Sequence, residues 1–307
     1  MAASSRPGGE SRALVYTSIA TAAITYGLVG LGSTVRVTDS GMGCPSWPLC
    51  YGQLGPIFHY HPILEESHRY LAAIVSVFVF ATLAIALRSS RLPTVRRAAK
   101  VAAGLVVFQV LLGGLTVLAR NAPWTVALHL ITGLVFLASV TVTAALAVLG
   151  DRYHGLVPAA RGWGLWALGT TLALLFSGTL VVGSGAGAVC PTWPVCFGNG
   201  PGRLTFIALL HRVVMGTADV LIFAFVLRAW REGDGGWRKR SVFMVAWLGV
   251  VALIGAGSAI SKSAPAWADV HLAAAALLWV TLVVQTYTLG AAPSSAESEA
   301  PVAGQAR

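Results

Sequence analysis

The chain has 307 residues, 56% of them hydrophobic and only 10% charged, with a formal net charge of +10. Soluble domains carry about a quarter of their residues as charges, so an ordinary soluble protein is excluded. The basic excess does not point to nucleic acid, because Lys and Arg are gathered in short loops between apolar runs.

Eight runs are apolar and long enough to cross roughly 30 Å of hydrocarbon. A tail at 1–13, rich in Ala, Ser, Pro and Gly, is expected to be disordered. The first run, 14–35, is too long for a signal peptide and lacks a small-residue cleavage site, so it reads as a helix of the mature protein. A loop holding GCPSWPLCYG (Gly43–Gly52) follows, and then LEESHR (Leu64–Arg69) at the start of the second run, 68–88. Arg88, Arg91, Arg96, Arg97 and Lys100 cluster in the next loop. Runs three and four cover 101–119 and 126–149, with His129 near the start of the fourth. A loop with Arg152, His154 and Arg161 leads to run five, 163–184. VCPTWPVCFG (Val189–Gly198) precedes run six, 206–229, which opens with His211 and Arg212. Arg228, Arg231, Arg238, Lys239 and Arg240 mark a further basic loop, before runs seven and eight at 241–260 and 268–289. His271 stands near the start of the last run, and a second tail, 290–307, is again expected to be disordered.

By the positive-inside rule the basic loops and both termini face the cytoplasm, and both cysteine loops lie on the outer side of the cell membrane. Thiols in an oxidising space persist as disulfides. Five intervening residues allow Cys44 with Cys50, and Cys190 with Cys196, to close local loops; four reduced thiols in a lipid-facing hairpin are the plainer alternative. Zinc is disfavoured, since neither cassette has a histidine at finger spacing. His59 and His61 resemble a metal pair but lack a third ligand, and His154 is expected to be solvated. GSGAG (Gly183–Gly187) follows a span and does not read as a phosphate loop.

The cassettes belong to a larger duplication. ESHRYLAAIVSVFVFA (Glu66–Ala81) answers to LLHRVVMGTADVLIFA (Leu209–Ala224), and LLGGLTVLARNAPWTVALHL (Leu111–Leu130) to LIGAGSAISKSAPAWADVHL (Leu253–Leu272). The offset drifts only from 146 to 142 residues. An even number of spans per unit returns the chain to its starting side, so the repeats are parallel about an axis along the membrane normal. The expected fold is an all-α integral membrane protein of eight transmembrane helices, arranged as two parallel-repeat four-helix bundles at 14–149 and 163–289.

Four of the seven histidines, His68, His129, His211 and His271, are matched between the repeats. Ionisable residues inside apolar spans are costly and suggest function by default, although a core histidine satisfied by a hydroxyl or carbonyl is the bland reading of any one alone. His68 is expected to begin the second helix and His129 to lie near the start of the fourth. At 1.5 Å rise per residue their rings come level within about a turn, as do those of His211 and His271. Two imidazoles facing each other at equal depth suit six-coordinate heme iron. Gly113, Gly114, Gly133, Gly216, Gly255 and Gly257 leave room for a macrocycle or serve helix packing. Arg69 and Arg212 either pair with heme propionates or snorkel to lipid headgroups.

Eight spans in two repeats, paired histidines on even-numbered helices, cysteine pairs after the first and fifth helices, and Glu-x-x-His-Arg at Glu65–Arg69 together resemble the heme A synthase family, from about Tyr16 to Leu289. The resemblance implies an oxidoreductase that converts heme O to heme A, oxidising a porphyrin methyl to a formyl group for terminal oxidases. It implies a substrate heme in the amino-terminal half, at His68 and His129, and a permanent heme b in the carboxy-terminal half, at His211 and His271. A heme O-producing synthase and oxidase assembly factors are the implied partners beside the lipid bilayer; oligomeric state is left open.

The sequence also carries an asymmetry. Glu65 precedes His68 by three residues, on the same helix face, whereas Ala208 stands at that place before His211. A carboxylate beside the first heme suits the proton transfers of methyl oxidation, so Glu65 is the catalytic candidate. Glu66 is expected to be solvated. Helix capping is the plain alternative for both acids. The resemblance suggests a part in activity for Cys44 and Cys50, whereas Cys190 and Cys196 are expected to stabilise their loop. A diheme electron-transfer cytochrome, a quinone-linked thiol oxidoreductase and a parallel-repeat transporter are the competing classes, in that order.

Overall fold

A computed structural model describes residues 10–55, 57–196, 202–232 and 235–289. Eight long helices follow one another: α1 (Arg12–Val37), α2 (Tyr60–Ser89), α3 (Pro93–Leu118), α4 (Pro123–Leu149), α5 (Leu165–Ser184), α6 (Arg203–Glu232), α7 (Gly235–Ile260) and α8 (Pro265–Thr288). All eight are long and apolar enough to cross a membrane. The chain is therefore a multi-pass membrane protein, and its described residues form no strand beyond an isolated bridge between Cys50 and Gln53.

The helix starts are encoded locally. Pro93, Pro123 and Pro265 stand in the first turns of α3, α4 and α8, where a missing N–H costs nothing and the fixed φ is already helical. Ser11 caps α1 by accepting the Leu14 N–H at 3.3 Å, so residues 12 and 13 of the expected tail belong to the helix. Tail residues 1–9 and 290–307 lie outside the described residues.

One expected start moves substantially. α2 begins at Tyr60, so His68 lies eight residues, about two turns, inside the helix instead of at its head. Hydropathy misses those two turns because Glu65 and Glu66 are polar, yet both are buried. The four histidines fall eight, six, eight and six residues after the starts of α2, α4, α6 and α8.

α1 to α4 form a ring in which each helix touches the next and α4 returns to α1; α5 to α8 form a second ring of the same kind. The rings meet where α1 and α4 pack against α8, and α4 against α5. Buried side chains of both rings share this seam, with Leu134 and Leu137 beside Trp279 and Val283. Apolar helices gain little from one another in lipid, so buried hydrogen bonds supply the specificity. Trp279 Nε1 donates to the Leu134 carbonyl at 2.9 Å, Tyr26 Oη donates to the Ala273 carbonyl at 3.0 Å, and Thr34 donates to Asp269 Oδ2 at 2.8 Å.

Candidate functional site

Each of the four repeat-matched histidines rests against a glycine of the preceding helix. A Cβ placed on Gly32, Gly113, Gly178 or Gly255 would lie 3.0, 3.3, 3.4 or 2.8 Å from the Cε1 of His68, His129, His211 or His271 respectively. A side chain at Gly32, Gly113 or Gly255 would push the ring above it, whereas one at Gly178 would touch His211 at ordinary contact distance. The seats obey the repeat offsets, since Gly32 answers to Gly178 and Gly113 to Gly255. Gly32 and Gly178 escaped sequence reasoning because a glycine in an apolar run looks like ordinary packing until its neighbour is known.

Within each ring the two imidazoles are close enough to interact electrostatically, His68 with His129 and His211 with His271. Nδ1 of His68 and of His129 are buried without a protein hydrogen-bond partner. Leaving such an atom unsatisfied costs about 1–3 kcal/mol, which suits rings intended for a bound group. In the second ring Ser177 Oγ lies 2.8 Å from His211 Nδ1 and orients that ring, leaving Nε2 as its other nitrogen. Of the remaining proposed glycines, Trp47 packs on Gly114, Trp267 on Gly257 and the Gln109 amide on Gly133, while a Cβ on Gly216 would meet nothing within 4 Å.

The cysteine loops cover the same ends of the rings as the histidines. Cys44 is disulfide-bonded to Cys50, and Cys190 to Cys196. Arg69 donates to the carbonyls of Cys44 at 3.1 Å and Pro48 at 3.2 Å. Arg212 makes the corresponding bonds to Cys190 at 2.9 Å and Pro194 at 3.1 Å. Each arginine thus ties a disulfide loop to the helix that carries its histidine.

The asymmetry is sharper than the sequence suggests. Glu65 is 5% exposed, accepts the Cys44 N–H at 2.9 Å through Oε2 and pairs with Arg69 at 2.5 Å through Oε1. It lies beyond the first turn of α2, so it is not a cap. Ala208, at the matching place, is buried and offers no such acceptor. Glu66 is 4% exposed rather than solvated: it accepts from Tyr70 Oη at 2.7 Å and from the Ile57 N–H at 3.2 Å. A helix placing two adjacent acids against two loop segments buries both, which spacing alone does not disclose. His61, by contrast, is engaged by Ser40 at 2.9 Å.

A cavity of about 240 Å³ lies in the second ring and reaches the ends of α1 and α4, lined by His211, His271, Gly178, Gly255 and Arg212, with Arg36 of α1 and Val126 of α4 in its wall. Its walls are largely apolar side chains, as expected of a site for a flat hydrophobic group with few polar anchors.

The family described as cytochrome oxidase assembly protein (COX15-CtaA) matches residues 16–203. The chain is 33% identical over 241 residues to a heme A synthase of Symbiobacterium thermophilum, a match covering 71% of this chain and 75% of that one. It is 30% identical over 233 residues to a heme A synthase of Alkalihalophilus pseudofirmus, covering 73% and 76%. With a heme A synthase of Exiguobacterium sp. it shares 31% identity over 202 residues, covering 64% and 66%.

Proposed function

The chain belongs to the cytochrome oxidase assembly protein family, and from that premise we propose that it is a heme A synthase, an oxidoreductase that oxidises one methyl group of heme O to a formyl group. The observation that carries this reading is the set of four histidine-on-glycine seats, two per ring, with a buried carboxylate beside only one pair.

His68 and His129 hold the substrate heme in the first ring, and His211 and His271 hold a resident heme b in the second. The buried, uncommitted imidazole nitrogens and the glycine clearances fit such a group. The bound hemes supply the iron redox chemistry. Glu65 is the proton acceptor for the methyl oxidation. A carboxylate has about four lone-pair sites, and Arg69 and the Cys44 N–H take two of them. Those bonds fix the carboxylate in place while leaving acceptor capacity. Arg69 and Arg212 close the disulfide loops over the two sites and so limit water there; their Nε groups remain for heme propionates. In the cell membrane the cysteine loops face outward and the basic loops and termini face the cytoplasm. A heme O-producing synthase and oxidase assembly factors are the partners this role requires.

The test is to extract and identify the hemes bound to purified protein, expressed with and without a source of heme O. Heme b together with heme O or A supports two unlike sites. Heme b alone under both conditions leaves a diheme electron-transfer cytochrome.

A further inference from the structure

Asp219 has no part in the chemistry above. Among the eight acidic residues that the structure describes it is the one near the centre of a span, whereas Glu65, Glu66 and Asp269 sit close to the helix ends beneath the cysteine loops. A mid-membrane carboxylate is expensive and marks function by default. Asp219 lines the same cavity as His211 and His271, and it makes no hydrogen bond or ion pair with any described residue.

A second group lies at the same depth. Asp219 is eight residues past His211 on α6, about 12 Å along the axis. On the antiparallel α5, Thr171 is seven residues from Gly178, the seat of His211, or about 10 Å. Thr171 lines the cavity, is 1% exposed, and its hydroxyl has no hydrogen-bond partner. The cavity therefore runs from a histidine end to a polar floor of two side chains uncommitted to protein.

The first ring lacks this floor. Asp219 answers to Ser76, whose hydroxyl bonds the Ala72 carbonyl at 2.8 Å, and Thr171 answers to Thr25, whose hydroxyl bonds the Thr21 carbonyl at 2.7 Å. Both counterparts are closed within their own helices. The polar floor, like Glu65, thus belongs to one half of the duplication only.

We propose that Asp219, with Thr171 at its level, is a proton-binding site coupled to the electron held between His211 and His271. When a one-electron reductant such as dithionite reduced a heme held at the histidines, the carboxylate would take one proton from solvent water, forming an O–H bond and leaving hydroxide to the buffer, and it would return that proton when an oxidant such as ferricyanide removed the electron. A fixed negative charge in a low-dielectric cavity disfavours added negative charge nearby, so protonation and reduction favour each other. The inference rests on the reading that this site holds a heme.

Few other groups compete. α5 and the short turn Ala186–Ala188 carry no titratable residue, and α7 has only Arg238, Lys239 and Arg240, near its start. Arg161 lies in the turn before α5, and Arg203, Arg228, Arg231 and Glu232 lie near the ends of α6. Arg36 and Arg212 line the wall. α8 contributes His271, Tyr287 and Asp269, the last bonded to Thr34.

The test is a potentiometric titration of the purified full-length protein, with dithionite as reductant and ferricyanide as oxidant, following the b-type absorption spectrum across the neutral pH range. The midpoint potential of the unmodified protein is expected to fall as pH rises. Asp219→Asn is expected to shift the potential positive and remove that slope, with heme content and low-spin spectrum unchanged. Asp219→Ser, the first ring's residue at this position, is expected to do the same, whereas Asp219→Glu retains a slope. A flat profile in the unmodified protein overturns the proposal, as does a slope that survives in both neutral variants, which assigns the proton to the heme propionates or the ligands. Should the neutral variants lose heme, Thr171→Val, which leaves the carboxylate in place, must displace the pH window of the slope, and an unchanged window overturns the proposal. Absence of a b-type spectrum from the unmodified protein defeats the heme reading itself.

Discussion

Glu65 and Arg69 form an ion pair one helical turn apart at 2.5 Å, and both then reach the same cysteine: Glu65 accepts the Cys44 N–H, and Arg69 donates to the Cys44 carbonyl. Arg212 keeps its half of this arrangement in the second ring, where Ala208 replaces the acid. The carboxylate therefore joins the candidate chemistry of the first ring to the loop that covers it.

Removing that carboxylate separates its two effects. Glu65→Ala leaves Arg69 with a buried, uncompensated charge and is expected to lower stability by about 3 kcal/mol, read as a lower heat-denaturation temperature in detergent. Glu65→Gln preserves volume and an acceptor for the Cys44 N–H, so it should keep most of the stability while heme A production falls at least tenfold. Normal heme A production by Glu65→Gln would remove Glu65 from the chemistry.

The glycine seats predict an order of sensitivity. Alanine at Gly255 meets the His271 ring at 2.8 Å, at Gly32 the His68 ring at 3.0 Å, at Gly113 the His129 ring at 3.3 Å and at Gly178 the His211 ring at 3.4 Å. The four single Gly→Ala variants should lose bound heme in that order, Gly255 most and Gly178 least, by pyridine hemochrome assay. Uniform retention of heme would mean that the rings are not held against their seats.

Arg69 and Arg212 should protect their disulfides. Arg212→Ala removes the bonds to the Cys190 and Pro194 carbonyls, and charged hydrogen bonds of this kind contribute about 1.5–3 kcal/mol each. Faster reduction of Cys190–Cys196 by dithiothreitol is expected, read by alkylation and mass spectrometry, while Cys44–Cys50 keeps its rate. Arg69→Ala should show the reverse.

Glu66 anchors a separate stretch of loop. It takes the Ile57 N–H and the Tyr70 hydroxyl, and Tyr70 Oη also accepts the Gly55 N–H. Leu54 and Phe58, each 82% exposed, stand on that stretch. Tyr70→Phe removes two of these bonds and should speed proteolytic cleavage near Phe58 severalfold, leaving heme A production within about twofold of normal because Glu65 and His68 are untouched.

Much of this protein was legible without coordinates, for reasons tied to particular residues. A membrane span needs about 20 apolar residues whatever surrounds them, so eight spans could be counted from composition alone. Duplication leaves its register in the chain itself, and His68, His129, His211 and His271 announce one another at offsets of 143 and 142 residues. The absence of an acid at Ala208 is likewise a property of one aligned position. What Glu66 does was not legible, because its burial depends on Tyr70 and Ile57, brought to it by the helix and by the loop. The two extra turns of α2 were missed for the same reason.

The amino-acid sequence by itself thus determined the fold class, the repeat and the types of residue at the candidate site, since these follow from local hydropathy and internal register. Only the tertiary structure decided that Gly32 and Gly178 lie under histidine rings, that Arg69 and Arg212 clasp the disulfide loops, and that Asp219 and Thr171 share a cavity with His211 and His271. Each of those relations joins different helices or a helix and a loop, and packing, not spacing along one chain segment, sets the distance between them.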